Sequence, residues 1–579
     1  MRNHIKNILI LVLVLSFVLG LVLSGSAFAD IPPYEDEYKP ISVRVNGKAV
    51  SDIAFTIKGN IYIKTSTLKK YGDVSKLTID TNNKKVTFKS QDLSLNLGNT
   101  EVSDFVKEYA GECFVPIKSF DDENSKTENF VALGPIAQIA KLAWTYKNGM
   151  LLLSQYSAAT NLATTGIISE SAGSLKNSSI ANLANGEKVF IVKETPTFYK
   201  VETLDGDQYY VNKSEVTKVD DVNQLDDFDY IPTAKDVFDG PINLGWLPLA
   251  ENATRTPLPP ANKTGLDVLS PIWLHSPANQ NGYVRQLCDY GYVQLAHQMG
   301  YKVWMCANNC FTETGTTKYT TQLLADEKMS NRVIAQYLLY ACMYEVDGIN
   351  LDYETLVNAD KDNFTVFNQK LGKYCNDLGL TYSIAVYPYN QSNSNRYDFE
   401  KLGECSDYLA PMMYSSLESN VKPQSIADYQ WYTNSTNGLA AVCPPEKILL
   451  GTPLFTRYWY INEEEKVVDA ENYKRYTGTI SMASVLDKIK NKEYTQTWDD
   501  STKQNVLIYP SDTGYNVKMW IEDERSMAYR LKYVMDNKLG GTACWALTQE
   551  PEGMLDIFDA VFKQGVDPQT IIDKYELNN

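Results

Sequence analysis

The stretch DGINLDYETL, residues 347–356, repeats with a period of two. In an extended chain alternate side chains share a face, so Asn350, Asp352 and Glu354 point one way while Ile349, Leu351 and Tyr353 point the other. Burying the acidic face costs several kcal/mol unless its carboxyl groups are hydrogen-bonded or protonated, and groups held at such a cost gather where chemistry is done. Two acids at roughly 6–7 Å on one strand face repel when both ionise. The spacing therefore predicts that the more apolar of the two keeps its proton, the pair titrating as a unit; a raised Glu354 beside an ionised Asp352 is the expected assignment.

Outward from this run, from about Asp239 to Gln564, strand-like runs alternate with helix-length amphipathic stretches. The strand candidates are PINLGWLPL, DVLSPIWLH, YKVWMCANNCF, VDGINLDYE, LTYSIAVYP, SDYLAPMMYS, EKILLGTPLF and GTACWALTQ, with helical runs such as NRVIAQYLLYACMYE and KDNFTVFNQKLGKYCNDLG between them. Eight strands separated by helices predict a (β/α)8 TIM barrel over 239–566 with insertions. A doubly wound open sheet is the alternative, but the region lacks a glycine-rich phosphate fingerprint. Residues 347–356 supply the end of the fourth strand, and barrel enzymes keep their catalytic groups at the carboxyl ends of strands.

Composition narrows the chemistry. The 579 residues carry 71 acids against 54 bases, a formal charge of −17, which excludes a nucleic-acid partner that would need a basic surface. Only His4, His275 and His297 are present, so no histidine-rich metal site can form, and neither later histidine is bracketed by a nucleophile elbow. Nine cysteines at irregular spacing read as buried thiols, and CANNC at 306–310 does not have zinc-knuckle spacing.

The segment before the barrel divides further. A basic start, an apolar run over 8–23 and the small-x-small triplet Ala27, Phe28, Ala29 read as a secretory signal over 1–29, with an uncleaved membrane anchor as the alternative. Short alternating strands with Asn-Gly turns make 30–158 a β-rich domain, and GEKVFIVKETPTFYKVETLDGDQYYVNKSEV places a small barrel at 164–220. An acidic linker follows at 221–238, and 567–579 is a C-terminal tail. Through VNGKAV, FVPIKSF and AKLAWTYKNGMLLL, the first domain resembles the copper amine oxidase N-terminal-like domain of exported bacterial proteins, without a cluster of metal ligands. The second resembles a bacterial SH3-like domain, a module attached to cell-wall enzymes.

In the barrel, DGINLDYE resembles the DGxDxDxE signature of glycoside hydrolase family 18, with MMYS at 412–415 resembling its M-x-Y-D motif and Trp545 its strand-eight tryptophan. SPIW at 270–273 and LLGTPLFTRYW at 449–459 are similar to the branch of spore and cell-wall glucosaminidases. The resemblance implies a retaining mechanism in which the substrate's own N-acetyl group is the nucleophile. Glu354 is then the general acid and base, Asp352 holds the acetamido N–H, and Tyr414 binds the acetamido oxygen. Trp545 floors the sugar, with Asn350, Met412, Tyr387 and Arg457 as further substrate-binding candidates. No metal and no cofactor is implied. Two positions depart from the family pattern: Asn350 replaces an aspartate, and Ser415 replaces the aspartate after Tyr414.

The expected activity is an exported, envelope-associated glycosidase cutting β-1,4 bonds of an N-acetylglucosamine polysaccharide, with peptidoglycan ahead of chitin. A weak or inactive carbohydrate-binding envelope protein is the reading from another class.

Overall fold

Runs of Val, Ile, Leu, Ala and Trp between 242 and 545 form eight parallel strands, most of them buried on both faces. They are β1 Ile242–Leu247, β2 Val268–His275, β3 Lys302–Asn308, β4 Gly348–Asp352, β5 Thr381–Val386, β6 Tyr408–Pro411, β7 Leu449–Pro453 and β8 Gly541–Trp545. The structure, a computed structural model, describes Pro32 and residues 39–576 except 122–126, 156–159, 164–165, 173–178, 184–187, 204–206, 220–224, 250–255, 258, 261–264, 277–280, 311, 416–421 and 470–476. The proposed leader at 1–29 lies outside the described residues. Among those described, no helix is long and apolar enough to cross a membrane.

The sheet runs β6-β5-β4-β3-β2-β1-β8-β7, and a parallel bridge from Leu409 to Ile448 brings its two edges together into a nearly closed barrel. The eight runs expected as barrel strands are these eight. Ile242, Leu244, Trp246, Val268, Ile272, Trp304, Cys306, Ala385, Ala410, Leu449 and Ala543 fill the lumen. Outside β4, Tyr353 packs on Phe364 and Phe367 of the helix Lys361–Asp377, at ring separations of 6.3 and 5.7 Å. The helix Glu327–Tyr344 starts where the Asp326 carboxylate accepts from the Met329 N–H and stops at Glu345, whose φ of 56° is left-handed.

The first two residues of DGINLDYE serve the fold. Asp347 sits at the amino end of β4, where it accepts from the backbone N–H of Val303 (2.8 Å) and meets His297 Nε2 (2.6 Å) and Lys302 Nζ (3.0 Å). A Cβ on Gly348 would fall 2.5 Å from the Thr381 carbonyl oxygen and 2.7 Å from Trp304, so the close approach of β4 to its neighbours requires glycine there.

Between β7 and β8 the chain adds a five-stranded antiparallel sheet: Phe455–Ile461, Thr477–Ser481, Thr495–Asp499, Gln504–Pro510 and Asn516–Ile521. Its last strand leads to buried Glu522, which takes two donors from Arg530 on the helix Glu524–Asp536 and one each from Gln504 and Ser526. A charge so placed is tolerated because every acceptor position finds a donor.

The chain forms two compact units, Met1–Val86 with Val115–Asp227, and Thr87–Phe114 with Phe228–Asn579. In the first, antiparallel strands including Lys48–Ile57, Asn60–Lys64 and Leu142–Lys147 surround a parallel pair, Lys39–Val45 with Met150–Gln155. A separate seven-stranded antiparallel sheet spans 160–219. Asp227, buried, pairs with Lys76 (2.5 Å) and Lys141 (3.0 Å). In the second unit the helix Thr100–Tyr109 packs against the barrel's outer helices, Phe105 lying 4.6 Å from the Tyr374 ring, while the Phe114 N–H donates to Tyr340 Oη (3.3 Å).

Although burial pushes the Asp347 carboxyl up, its bonds and charge contacts with His297, Val303 and Lys302 hold it below the usual range. Such a group adds stability above its unfolded pKa and loses it as pH falls through the lower folded value. Asp347→Asn should therefore destabilise the barrel unit at neutral pH, with the difference from wild type shrinking as the pH drops below about 4 in urea unfolding series.

Candidate active site

Strands β4 and β5 stand side by side in a register that pairs Asn350 with Ser383 and Leu351 with Ile384. Their inward side chains form a ladder of three rungs. On the lowest, Asn350 Nδ2 donates to Ser383 Oγ (2.8 Å), and Asn350 Oδ1 accepts from Trp246 Nε1 (2.8 Å) on β1. On the middle rung Asp352 stands opposite Ala385, which offers no polar group. Asp352 is 4% exposed, and its Oδ1 has no hydrogen-bond partner among the described residues. On the top rung Tyr387 Oη donates to Glu354 Oε2 (2.9 Å). Asn309 clamps the Glu354 backbone from β3's side, accepting its N–H (3.1 Å) and donating to its carbonyl (2.9 Å).

The upper rungs open into a cavity of about 560 Å³. Asp352, Glu354 and Tyr387 line it together with Met412 and Tyr414 beyond β6 and Trp545 at the end of β8. Trp246 and Trp545 meet at 6.1 Å, and Tyr414 sits edge-on to Phe455 at 5.8 Å, so the wall is largely aromatic. The Trp545–Ala546 peptide is cis. Among the described residues Pro388, Asn390, Asn393, Ser415, Trp431 and Phe455 complete the lining, with Asp352 and Glu354 as its charged members. Asn350 lies beneath the cavity and does not line it. Arg457 does not line it either: two residues past Phe455 on the inserted sheet, its guanidinium stacks 5.2 Å from the Trp459 ring.

Residues 312–550 match the model of the glycosyl hydrolases family 18, which takes in β4 to β8 and the whole acidic ladder. Over those residues the chain is similar to the family 18 glycosyl hydrolases. The chain is 21% identical over 233 residues to the cortical fragment-lytic enzyme of Bacillus anthracis, covering 39% of this chain and 52% of that protein. It is 22% identical over 287 residues to chitinase A1 of Niallia circulans, covering 42% and 39%. Among solved structures, the spore cortex-lytic enzyme SleL of Bacillus megaterium QM B1551 superposes with a TM-score of 0.49 at 18% identity, covering 57% of this chain and 76% of that one. The chain spans about half the length of the first curated relatives it matches, at 47%, 53% and 52%.

In the barrel both acids of the ladder are shifted upward. Burial pushes the Asp352 carboxyl well above the ordinary range, and the charge of Glu354 pushes it further. Burial raises Glu354 too, but the Tyr387 hydroxyl draws it back down. Glu354 is raised as expected, whereas the expectation of an ionised Asp352 is corrected: Glu354 has a donor in Tyr387, and Asp352 Oδ1 has none among the described residues. Tyr414 is also held protonated, first by burial and then by the two acids. Among the described residues no cluster of three or more His, Cys, Asp and Glu side chains could hold a metal ion.

Trp246, which the sequence did not assign to the site, is the last inward position of β1 after Ile242 and Leu244 and carries an N–H that Asn350 accepts. Asn390, Asn393 and Trp431 come from the segments after β5 and β6, where no periodic pattern marks a residue as facing the site. Because Asp352 is raised by folding, its contribution to stability is present at acid pH and is lost as pH rises through the folded value. Asp352→Asn should accordingly raise the melting temperature at pH 7–8, with the gain vanishing below about pH 4 in calorimetric scans.

Proposed function

We propose that the barrel hydrolyses β-1,4 glycosidic bonds of N-acetylglucosamine polysaccharide, foremost peptidoglycan, with the substrate's acetamido group as nucleophile. The observation carrying this reading is the convergence of Asp352, Glu354, Tyr414 and Trp545 on one cavity at the carboxyl ends of the strands. Trp545 offers a flat apolar face to the C–H bonds of a pyranose. Tyr414, kept protonated, donates to the acetamido oxygen and holds it near attack distance on the anomeric carbon.

Asp352 Oδ1, without a protein donor, is the acceptor for the acetamido N–H. That bond favours the anion, so the proton shared by the two acids passes to Glu354 as substrate binds. Glu354 gives it to the glycosidic oxygen as the bond to the anomeric carbon breaks, and the acetamido oxygen closes an oxazolinium ring. The resulting carboxylate then takes a proton from the water that opens the ring. The anion at Asp352 stabilises the positive charge developing on the acetamido nitrogen.

Export through the leader and wall contact through the two β-rich segments belong to the same proposal, supported by their resemblance to envelope modules. Chitin remains the second substrate because nothing lining the cavity is specific to a muramic acid. A sugar-binding barrel without turnover draws on one observation, Ser415 in the lining where the family pattern has an aspartate.

Incubating the full chain with peptidoglycan and with chitooligosaccharides, and measuring new reducing ends, tests the reading. Glu354→Gln should lower release by about 10²–10⁴-fold with binding retained, and Asp352→Asn by about 10²–10³-fold. Retention on either polymer without release by the wild type would favour the sugar-binding reading. An unchanged rate in Asp352→Asn would overturn the acetamido mechanism.

A further inference from the structure

Tyr387, the residue after β5, continues the inward series of Ser383 and Ala385 and is tied at two points. Its hydroxyl oxygen accepts from the backbone N–H of Thr355 (3.2 Å), and its single proton goes to Glu354 Oε2 (2.9 Å). With the Thr355 N–H donating to the phenol oxygen, the phenolic proton is directed to Glu354 Oε2. Thr355 supplies that N–H from a left-handed conformation, φ 57°, directly after the ladder. Behind the ring stands Tyr397, edge-on at 6.0 Å, itself buried and packed on Phe364 and Phe399. The hydroxyl is thus held by the sheet, by a turn and by a packed aromatic wall.

We propose that Tyr387 is a positioning residue for Glu354, its hydroxyl occupying Oε2 so that Oε1 is the oxygen that carries and recovers the reacting proton. A proton on Oε2 would confront the phenolic proton, and turning the phenol away would give up a bond while leaving the Thr355 N–H facing a hydrogen. With Oε2 engaged, the carboxyl group is also held in one rotamer as it alternates between acid and base. The inference rests on the reading of Glu354 as the proton donor.

The titratable groups facing Glu354 come from several elements: Asp352 on its own strand, Cys306 on β3, Tyr387 and Tyr397 from the segment after β5, and Tyr414 after β6. Burial raises the three tyrosines and the cysteine, so they are neutral in the working range, and among the described residues Asp352 is the neighbour that changes charge there. Tyr387 favours the charged form of Glu354. Removing its hydroxyl moves the loss of the Glu354 proton to higher pH.

In Tyr387→Phe, which keeps the ring against Tyr397, the alkaline limb of the kcat/KM profile on N-acetylglucosamine oligomers should move up by about half to one pH unit. kcat should fall about tenfold with KM nearly unchanged. A second readout does not depend on turnover: the Glu354 carboxyl band in pH-difference infrared spectra of the full chain, assigned by its loss in Glu354→Gln, should shift in the same direction. Replacing Tyr387 with 3-fluorotyrosine, a stronger donor, should move the midpoint the other way. Identical Glu354 midpoints in wild type, Tyr387→Phe and the fluorinated protein would overturn the proposal. A wild type that never cleaves would overturn only the assigned activity, since the infrared titration still decides the role of Tyr387.

Discussion

Most of the barrel lumen is filled by apolar side chains, and β4 turns in Asn350 and Asp352. Everything distinctive about the second unit accommodates that inversion. The lower amide is satisfied on both sides, by the indole of Trp246 and the hydroxyl of Ser383, so the floor under the acids is neutral and fully bonded. Above it the pairing stops: Ala385 gives Asp352 nothing, and Tyr387 gives Glu354 a single donor. A buried polar group without a partner is expensive in a protein interior, and retaining one at the mouth of a barrel is characteristic of a site that meets its partner from outside.

Two signals overlap within DGINLDYE and are answered by different parts of the fold. Asp347 and Gly348 hold the amino end of β4, one by collecting donors from β3 and a helix, the other by leaving room for the Thr381 carbonyl. Asn350, Asp352 and Glu354 project from the inward face toward the carboxyl end. Substitutions in the first pair loosen the anchoring of the strand, whereas those at Asp352 and Glu354 act through protonation, on stability as well as on the site.

The barrel was legible because both faces of its strands are buried, which leaves near-continuous apolar runs bounded by turns and separated by helices. The antiparallel sheet over 455–521 was not separated from the general notion of insertions, since FTRYWYI and NVKMWI carry no mark of which partner they pair with. Periodicity placed Asp352 and Glu354 on one face, but their protonation depends on what stands opposite. Ala385 and Tyr387 belong to another strand and its extension, and register between strands is not written in either one. Trp246 escaped for the same reason, its bond to Asn350 spanning 104 residues of sequence. Arg457 looked like a strand-end cation within reach of the site, but the inserted sheet turns it onto Trp459 instead.

The helix Thr100–Tyr109 comes from the middle of the amino-terminal region yet belongs to the unit that holds the barrel. During synthesis this clasp leaves the ribosome before any of the eight strands, and Tyr374, which receives its Phe105, and Tyr340, which receives the Phe114 N–H just beyond it, follow much later. Its ring and backbone must wait for those partners, a long-range closure that slows assembly relative to a barrel built from local neighbours. A shortened gene product starting at the first barrel strand would therefore expose an apolar scar on its outer helices.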